Sequence, residues 1–298
     1  MSIPLSQLNT WSHQGAIITS SNAYESIERA LCAESAAPQV RAADVFLQGS
    51  YRNTTNIYGD SDVDVVVLYK TSFHSDKSAL TPQAQRLHDA TYPDATYLWR
   101  DLHADVLAAL RSHFGYNAVT PGPKAITVNT GHGRLTADVV PALEFRKYAT
   151  FNGANSMTAH WGIQFFDAAG NPIVNYLKLH IDRGEDKNSQ GRTGGCYKPT
   201  VRIFKNLRNY LYDNGLIAED SVPSYFLECT VHNVPDNLFA GGFSTSVPNI
   251  LRHLWTTAPG DFRCQNGVVP LFGPGPTQWS QDRFTAFVTA AVNAWDNW

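Results

Sequence analysis

Two aspartates stand at alternate positions of a valine-rich run, Asp62-Val63-Asp64-Val65-Val66-Val67, eleven residues after Gly49-Ser50. The valines predict a strand, and its period of two sets Asp62 and Asp64 on one face with Val63, Val65 and Val67 on the other. Aspartate is depleted in strands, and two like charges on neighbouring same-face positions repel while losing hydration if that face closes. A divalent cation offsets both costs, since Mg²⁺ prefers hard carboxylate oxygens and reverses the local charge balance. An exposed edge strand would carry the pair without an ion, but the upstream sequence argues against that reading. Asp44 to Gln48 reads as a short buried strand running into Gly49-Ser50-Tyr51. A turn or helix start there leaves backbone N–H groups free for a phosphate, which makes a phosphate cradle beside a metal site.

A two-metal site needs a third carboxylate on a facing strand. The run Arg134 to Pro141 supplies it: Leu135, Ala137 and Val139 form an apolar face, and Asp138 lies on the other between Thr136 and Val140.

Gly49-Ser50, the eleven-residue gap, Asp62-Val63-Asp64-Val65 and the later Asp138 resemble the signature of the DNA polymerase β-like nucleotidyltransferases. More narrowly, Leu47-Gln48-Gly49-Ser50-Tyr51-Arg52-Asn53 through Asp60-Ser61-Asp62-Val63-Asp64 is similar to the CD-NTases, bacterial cyclic-oligonucleotide synthases related to animal cyclic GMP-AMP synthase and oligoadenylate synthase. The likeness runs from the N-terminal helix to the C-terminal one. It implies that Asp62 and Asp64 hold two Mg²⁺ ions, with Mn²⁺ as a substitute, and that Asp138 joins them. It implies that Gly49 and Ser50 orient phosphates. In this branch a lysine in the first long helix of the second lobe and a serine-tyrosine pair opening a later helix contact the donor nucleotide. Carried over, Lys205 and Ser224 hold the β- and γ-phosphates and Tyr225 stacks on the base.

The resemblance further implies that nucleoside triphosphates, ATP and/or GTP foremost, are joined into a cyclic di- or trinucleotide with release of pyrophosphate. The product is expected to be a second messenger in anti-phage signalling, read by a downstream effector, and a regulatory protein partner stays open. The zinc-ligand cluster with which animal cyclic GMP-AMP synthase grips DNA has no counterpart, so no DNA activation is expected. Two other readings remain at this point: a nucleotidyltransferase acting on a tRNA end, an antibiotic or a protein hydroxyl, and a non-catalytic nucleotide or RNA sensor on the same fold.

The order of elements fits an α+β protein. An amphipathic helix from Ile17 to Ala36 leads into the first strand; helices are expected at Pro82 to Asp89 and Leu98 to Phe114, and strands near Ala125-Asn129, Arg134-Leu143 and Trp161-Asp167. From about Pro172 the pattern reads mainly helical, with helices at Lys198 to Asp213, Pro223 to His232, Pro248 to Thr257 and Trp279 to Asn297. The expected organisation is a catalytic lobe with a mixed sheet over residues 1–170, a helical lobe over 171–298, and a substrate cleft between them. At 298 residues and 43% apolar content the chain is long enough for two such lobes.

A net charge of −3 excludes a dedicated DNA coater. Between Lys178 and Arg208 eight Lys or Arg face three acids, and Lys198, Arg202 and Lys205 are candidates for a positive wall opposite the aspartates. The loop Gly191-Arg192-Thr193-Gly194-Gly195 lacks the Lys-Ser/Thr of a phosphate-binding P-loop. Cys32, Cys196, Cys229 and Cys264 form no C-x-x-C pair, and no leader or membrane-spanning run is evident, so a cytoplasmic setting without membrane contact is expected.

Overall fold

The structure is a computed structural model. It describes residues 2–15, 18–58, 62–122, 124–129, 136–275 and 277–298. Ile17, Asp60, Ser61, Arg134, Leu135 and the side chain of Asp62, all used in the sequence reading, lie outside the described residues.

In chain order the elements are α1 (Leu5–Ser12), α2 (Ile18–Leu31), the short α3 (Pro38–Arg41), β1 (Asp44–Leu47), the five-residue α4 (Gly49–Asn53) and β2 (Asp62–Asp76). Then come α5 (Pro82–Thr91), α6 (Trp99–Phe114), β3 (Val119–Pro121), β4 (Ile126–Val128), β5 (Thr136–Phe151), β6 (Met157–Phe166) and β7 (Pro172–Asn175). The rest is helical: α7 (Leu177–Asn188), α8 (Tyr197–Asp213), α9 (Ser224–His232), α10 (Phe243–Thr256) and α11 (Gln281–Asp296). Among the described residues no helix is long and apolar enough to cross a membrane.

The chain divides into two compact units. One, Ile17–Tyr51 with Ser61–Lys178, holds the sheet. Its strands run β1-β2-β5-β4-β3, with β6 and β7 added beside β5. Among the described strands β2 and β5 alone pair in parallel, and the crossover that parallel pairing requires carries α5, α6, β3 and β4. The alternation seen in the sequence sets the layers. Val63, Val65, Val67, Ala137 and Val139 are fully buried in a core with Ile27, Leu102, Val106 and Leu110 of the covering helices α2 and α6. Val66 and Val140, on the opposite face, are buried in a smaller cluster with Ile163, Phe165 and Ile173, so that face is polar at one end only.

The other unit, Met1–Ala16, Arg52–Asp60 and Leu179–Trp298, is built on α8. Val201, Phe204, Leu207 and Leu211 recur at helical spacing and are fully buried against Val231, Val247, Ile250 and Phe287.

Three expectations change. The first sixteen residues group with the helical unit, not the sheet unit, because Ile3 and Leu8 are buried in the helical core. Pro172 opens a strand paired with β6 and not a helix, which an edge strand tolerates at its first residue. Pro248 lies inside α10, five residues after its start, where burial of Val247, Ile250, Leu251 and Leu254 outweighs the lost backbone bond.

Candidate active site

In the sheet unit the parallel register sets Asp64 directly beside Asp138, with Val63 beside Ala137 and Val65 beside Val139. Paired residues of adjacent strands share a face, and strands lie about 4.8 Å apart, so two half-buried carboxylates stand side by side. Asp62 pairs with Thr136 in the same register. Asp138 is fixed from its other neighbour: Thr127, opposite it on β4, donates its hydroxyl to Oδ1 at 2.7 Å. Thr127 is a further candidate site residue that the sequence reading missed; its signal was the single polar position of the buried strand Ile126-Thr127-Val128.

The β1–β2 ladder continues one step past the strand, where the Gln48 N–H donates to the Asp64 carbonyl at 2.9 Å. That step lays Gly49 against the Asp64 carboxylate. Gly49 has a φ of +66°, and a Cβ built on it would overlap Asp64 Oδ2. Glycine is required twice, for the backbone angle and for the space. The arrangement fits a divalent cation: hard oxygen donors on one face, like charges that need a counter-ion, and a cradle without a side chain. Gly49→Ala is expected to lower product formation at least ~100-fold, of the order seen when one aligned catalytic contact is lost. Gly170 has a similar φ of +82° with nothing within 4 Å of its Cβ position, so Gly170→Ala should keep full activity. Initial rates and melting temperatures of both variants check this, and equal activity in the two would remove the cradle role.

The remaining expected residues belong to the helical unit. Ser224 opens α9, and its hydroxyl accepts from Arg208 Nη1 at 2.9 Å; the same guanidinium nitrogen donates to the Val222 carbonyl at 3.1 Å. Tyr225 stacks on the His180 ring at 5.3 Å and 23°, and its hydroxyl accepts from Asn266 at 3.2 Å. Burial pushes the Tyr225 phenol far up, so it stays neutral.

Lys205 differs from its expected role. Its ammonium is fully buried and aims its three protons at Glu228 Oε1 at 2.7 Å, the Thr55 carbonyl at 3.1 Å and the Thr55 hydroxyl at 3.5 Å. No donor is left for a phosphate. The other members of the expected positive wall are also engaged. Lys198 pairs with Glu185 at 2.7 Å, and Arg202 donates to the Ser12 and Thr54 carbonyls. A sequence shows the spacing of cations but not the carboxylates and carbonyls that neighbouring segments bring to them. The cation at Ser224 is Arg208, which the sequence reading counted in the basic run without singling it out.

Glu228 is the hub of this buried network, accepting also from Thr55 Oγ1 at 2.6 Å and facing His180 Nε2 at 3.3 Å. Burial works to raise its pKa, but the charge of Lys205 and the contact with His180 prevail and hold the carboxyl well below the ordinary value.

Comparison with known proteins decides the family. A model described as the cGAS/DncV-like nucleotidyltransferase C-terminal helical domain matches residues 182–296. Over 299 aligned residues, 100% of this chain and 99% of the other, the protein is 40% identical to a cyclic UMP-AMP synthase of Rhodothermus marinus. The chain belongs to the CD-NTase family. It is likewise 39% identical, over the full length of both, to the cyclic nucleotide synthase CdnE01 of Staphylococcus haemolyticus. Among solved structures, the Rhodothermus marinus CdnE c-UMP-AMP synthase with Apcpp and Upnpp superposes with a TM-score of 0.89 at 39% identity, covering 99% of this chain and 97% of that one. The Elizabethkingia meningoseptica CdnE cyclic dinucleotide synthase with GTP and Apcpp gives 0.77 at 30% identity, covering 98% of each. This CD-NTase is therefore a nucleotidyltransferase that makes a cyclic nucleotide, and neither the foreign-acceptor reading nor the sensor reading is what these relatives support.

Proposed function

We propose that this CD-NTase joins ATP and UTP into cyclic UMP-AMP with release of two pyrophosphates, and that the product is a second messenger of anti-phage defence read by a downstream effector. The observation that carries the choice of bases is the full-length match, at 39% identity and a TM-score of 0.89, to a synthase whose structure was solved with Apcpp and Upnpp. Of the two triphosphates expected foremost, ATP is kept, and UTP is proposed beside it.

Asp62, Asp64 and Asp138 would hold two Mg²⁺ ions, which when bound lower the pKa of the acceptor hydroxyl, neutralise the phosphates and stabilise the departing pyrophosphate. The chain's own residues do the positioning. Thr127 holds the Asp138 carboxylate by donating its hydroxyl to Oδ1. Gly49 lets the Asp64 carboxylate lie against bare backbone, and Ser50 follows it at the start of α4. In the helical unit, Ser224 is the phosphate-binding hydroxyl, aligned by Arg208, and Tyr225 supplies a neutral ring for a base, worth about 1–3 kcal/mol by stacking. A ribose hydroxyl attacks the α-phosphorus of the partner triphosphate, the bond to pyrophosphate breaks, and a second such transfer closes the ring.

Incubation with an equimolar mixture of ATP, GTP, CTP and UTP, followed by mass spectrometry, is expected to give cyclic UMP-AMP as the main product. A cyclic dipurine or dipyrimidine as main product would overturn the base assignment and leave the reaction class standing. Absence of any cyclic product would overturn both.

A further inference from the structure

The helical unit contains a cavity of about 640 Å³ whose wall carries four cations and two carboxylates. Two of the cations are already matched. Lys187 is buried and donates to the Val234 carbonyl at 2.6 Å and to Asp236 at 3.0 Å, while Arg192 bonds Asp236 at 2.7 Å and Asp186 at 2.5 Å. The other two, Arg183 and Arg263, have guanidinium groups with no carboxylate partner among the described residues.

Arg183 is nonetheless held in place. Its guanidinium lies on the backbone of Gly267, where a Cβ would overlap Nη1, and Gly267 has a φ of +69° that favours glycine. His232 belongs to the same wall; its Nε2 is closed off from solvent and has no hydrogen-bond partner among the described residues. Burial lowers the His232 pKa to about 3, reinforced by the charge of Lys187, so the ring is neutral. Its other nitrogen bonds the Arg183 backbone, which leaves Nε2 as an acceptor. Guanidinium groups bind phosphate through two parallel N–H bonds, and both Arg183 and Arg263 are free to do so. The remaining carboxylate, Asp261, is exposed, where solvent screens it.

We propose that this cavity binds a compact phosphate anion of the pyrophosphate class, gripped by the Arg183 and Arg263 guanidinium groups. None of the residues assigned to nucleotide transfer lines this cavity, and the proposal does not depend on which cyclic product is made. Pyrophosphate is the natural probe because the reaction releases it.

Sodium pyrophosphate titrated into the full chain in EDTA-containing buffer, followed by calorimetry, removes any cation-mediated uptake at the aspartates. Saturable one-site binding is expected, unchanged in Asp138→Asn and weakened at least tenfold in Arg183→Ala/Arg263→Ala. The single exposed substitution Arg263→Glu should weaken it by a similar factor, and both arginine variants should make the cyclic product at the wild-type rate, which confirms that they fold. Absence of saturable binding, equal binding in the double variant, or loss of binding in Asp138→Asn would overturn the proposal. So would a double variant that loses affinity for a short RNA duplex while its pyrophosphate binding is intact.

Discussion

Asp138→Asn is expected to reduce cyclic product formation by at least ~1,000-fold, a loss of about 4 kcal/mol of transition-state stabilisation, while leaving the fold intact. The geometry separates the two effects. Asparagine keeps an oxygen for the Thr127 hydroxyl, which bonds Asp138 Oδ1 at 2.7 Å, so the strand register is unaffected. What it removes is the second negative charge beside Asp64, whose position opposite Asp138 is set by the parallel ladder. Like charges directly opposite each other across strands are destabilising. In EDTA the variant should therefore melt at the same temperature as the wild type or a few degrees higher. In millimolar Mg²⁺ the order should reverse, because an ion that binds the folded state of the wild type stabilises it and the variant has lost a ligand. Initial rates with ATP and UTP, and melting curves in the two buffers, check both arms. Retained turnover would show that the carboxylate pair is not the catalytic centre, and a variant less stable in EDTA would show that the two charges are not in conflict.

The sheet-unit site was legible because strands carry side chains with a period of two and their polar breaks stand out. Asp64 and Asp138 each interrupt a valine- or alanine-lined strand, and pairing in the fold only had to bring them level. Thr127 escaped notice because a threonine in a strand is ordinary; its role appears only when the register places it opposite Asp138. The helical unit was less legible for a different reason. The spacing of Lys198, Arg202 and Lys205 fixes their side of α8, yet whether that side is open is decided by segments distant in the chain. Residues 52–58 and helices α7 and α9 supply the carbonyls and carboxylates that take up all three. The same distance effect explains α1, whose buried Ile3 and Leu8 gave no local sign of which unit they would join.

The buried pair at the centre of that unit carries the second large effect. Glu228→Gln is expected to destabilise the protein by about 3–5 kcal/mol, the range found when one partner of a buried ion pair is removed and the other charge is left uncompensated. Lys205 is fully buried, so its ammonium would face an amide in a site closed to water, and Thr55 and His180 would lose a charged acceptor. At about 2–4 °C per kcal/mol for a protein of this size, the melting temperature should fall by roughly 10 °C. Removing both charges should cost less than removing one: Lys205→Met/Glu228→Gln is expected to recover much of the loss, since apolar replacements of buried pairs are often neutral. The pH dependence has a definite sign. Burial opposes ionisation of Glu228, but Lys205 and His180 hold its folded-state pKa well below the ordinary value of 4.5. The stability it contributes is then complete above about pH 4.5 and is lost as pH falls toward the folded-state value. The gap in melting temperature between wild type and Glu228→Gln should be constant from neutral pH down to about 5 and narrow below that. A gap that narrows instead between pH 6 and 8 would mean that the contribution belongs to another group, and a double variant no more stable than the single one would mean that Lys205 is not the charge Glu228 neutralises.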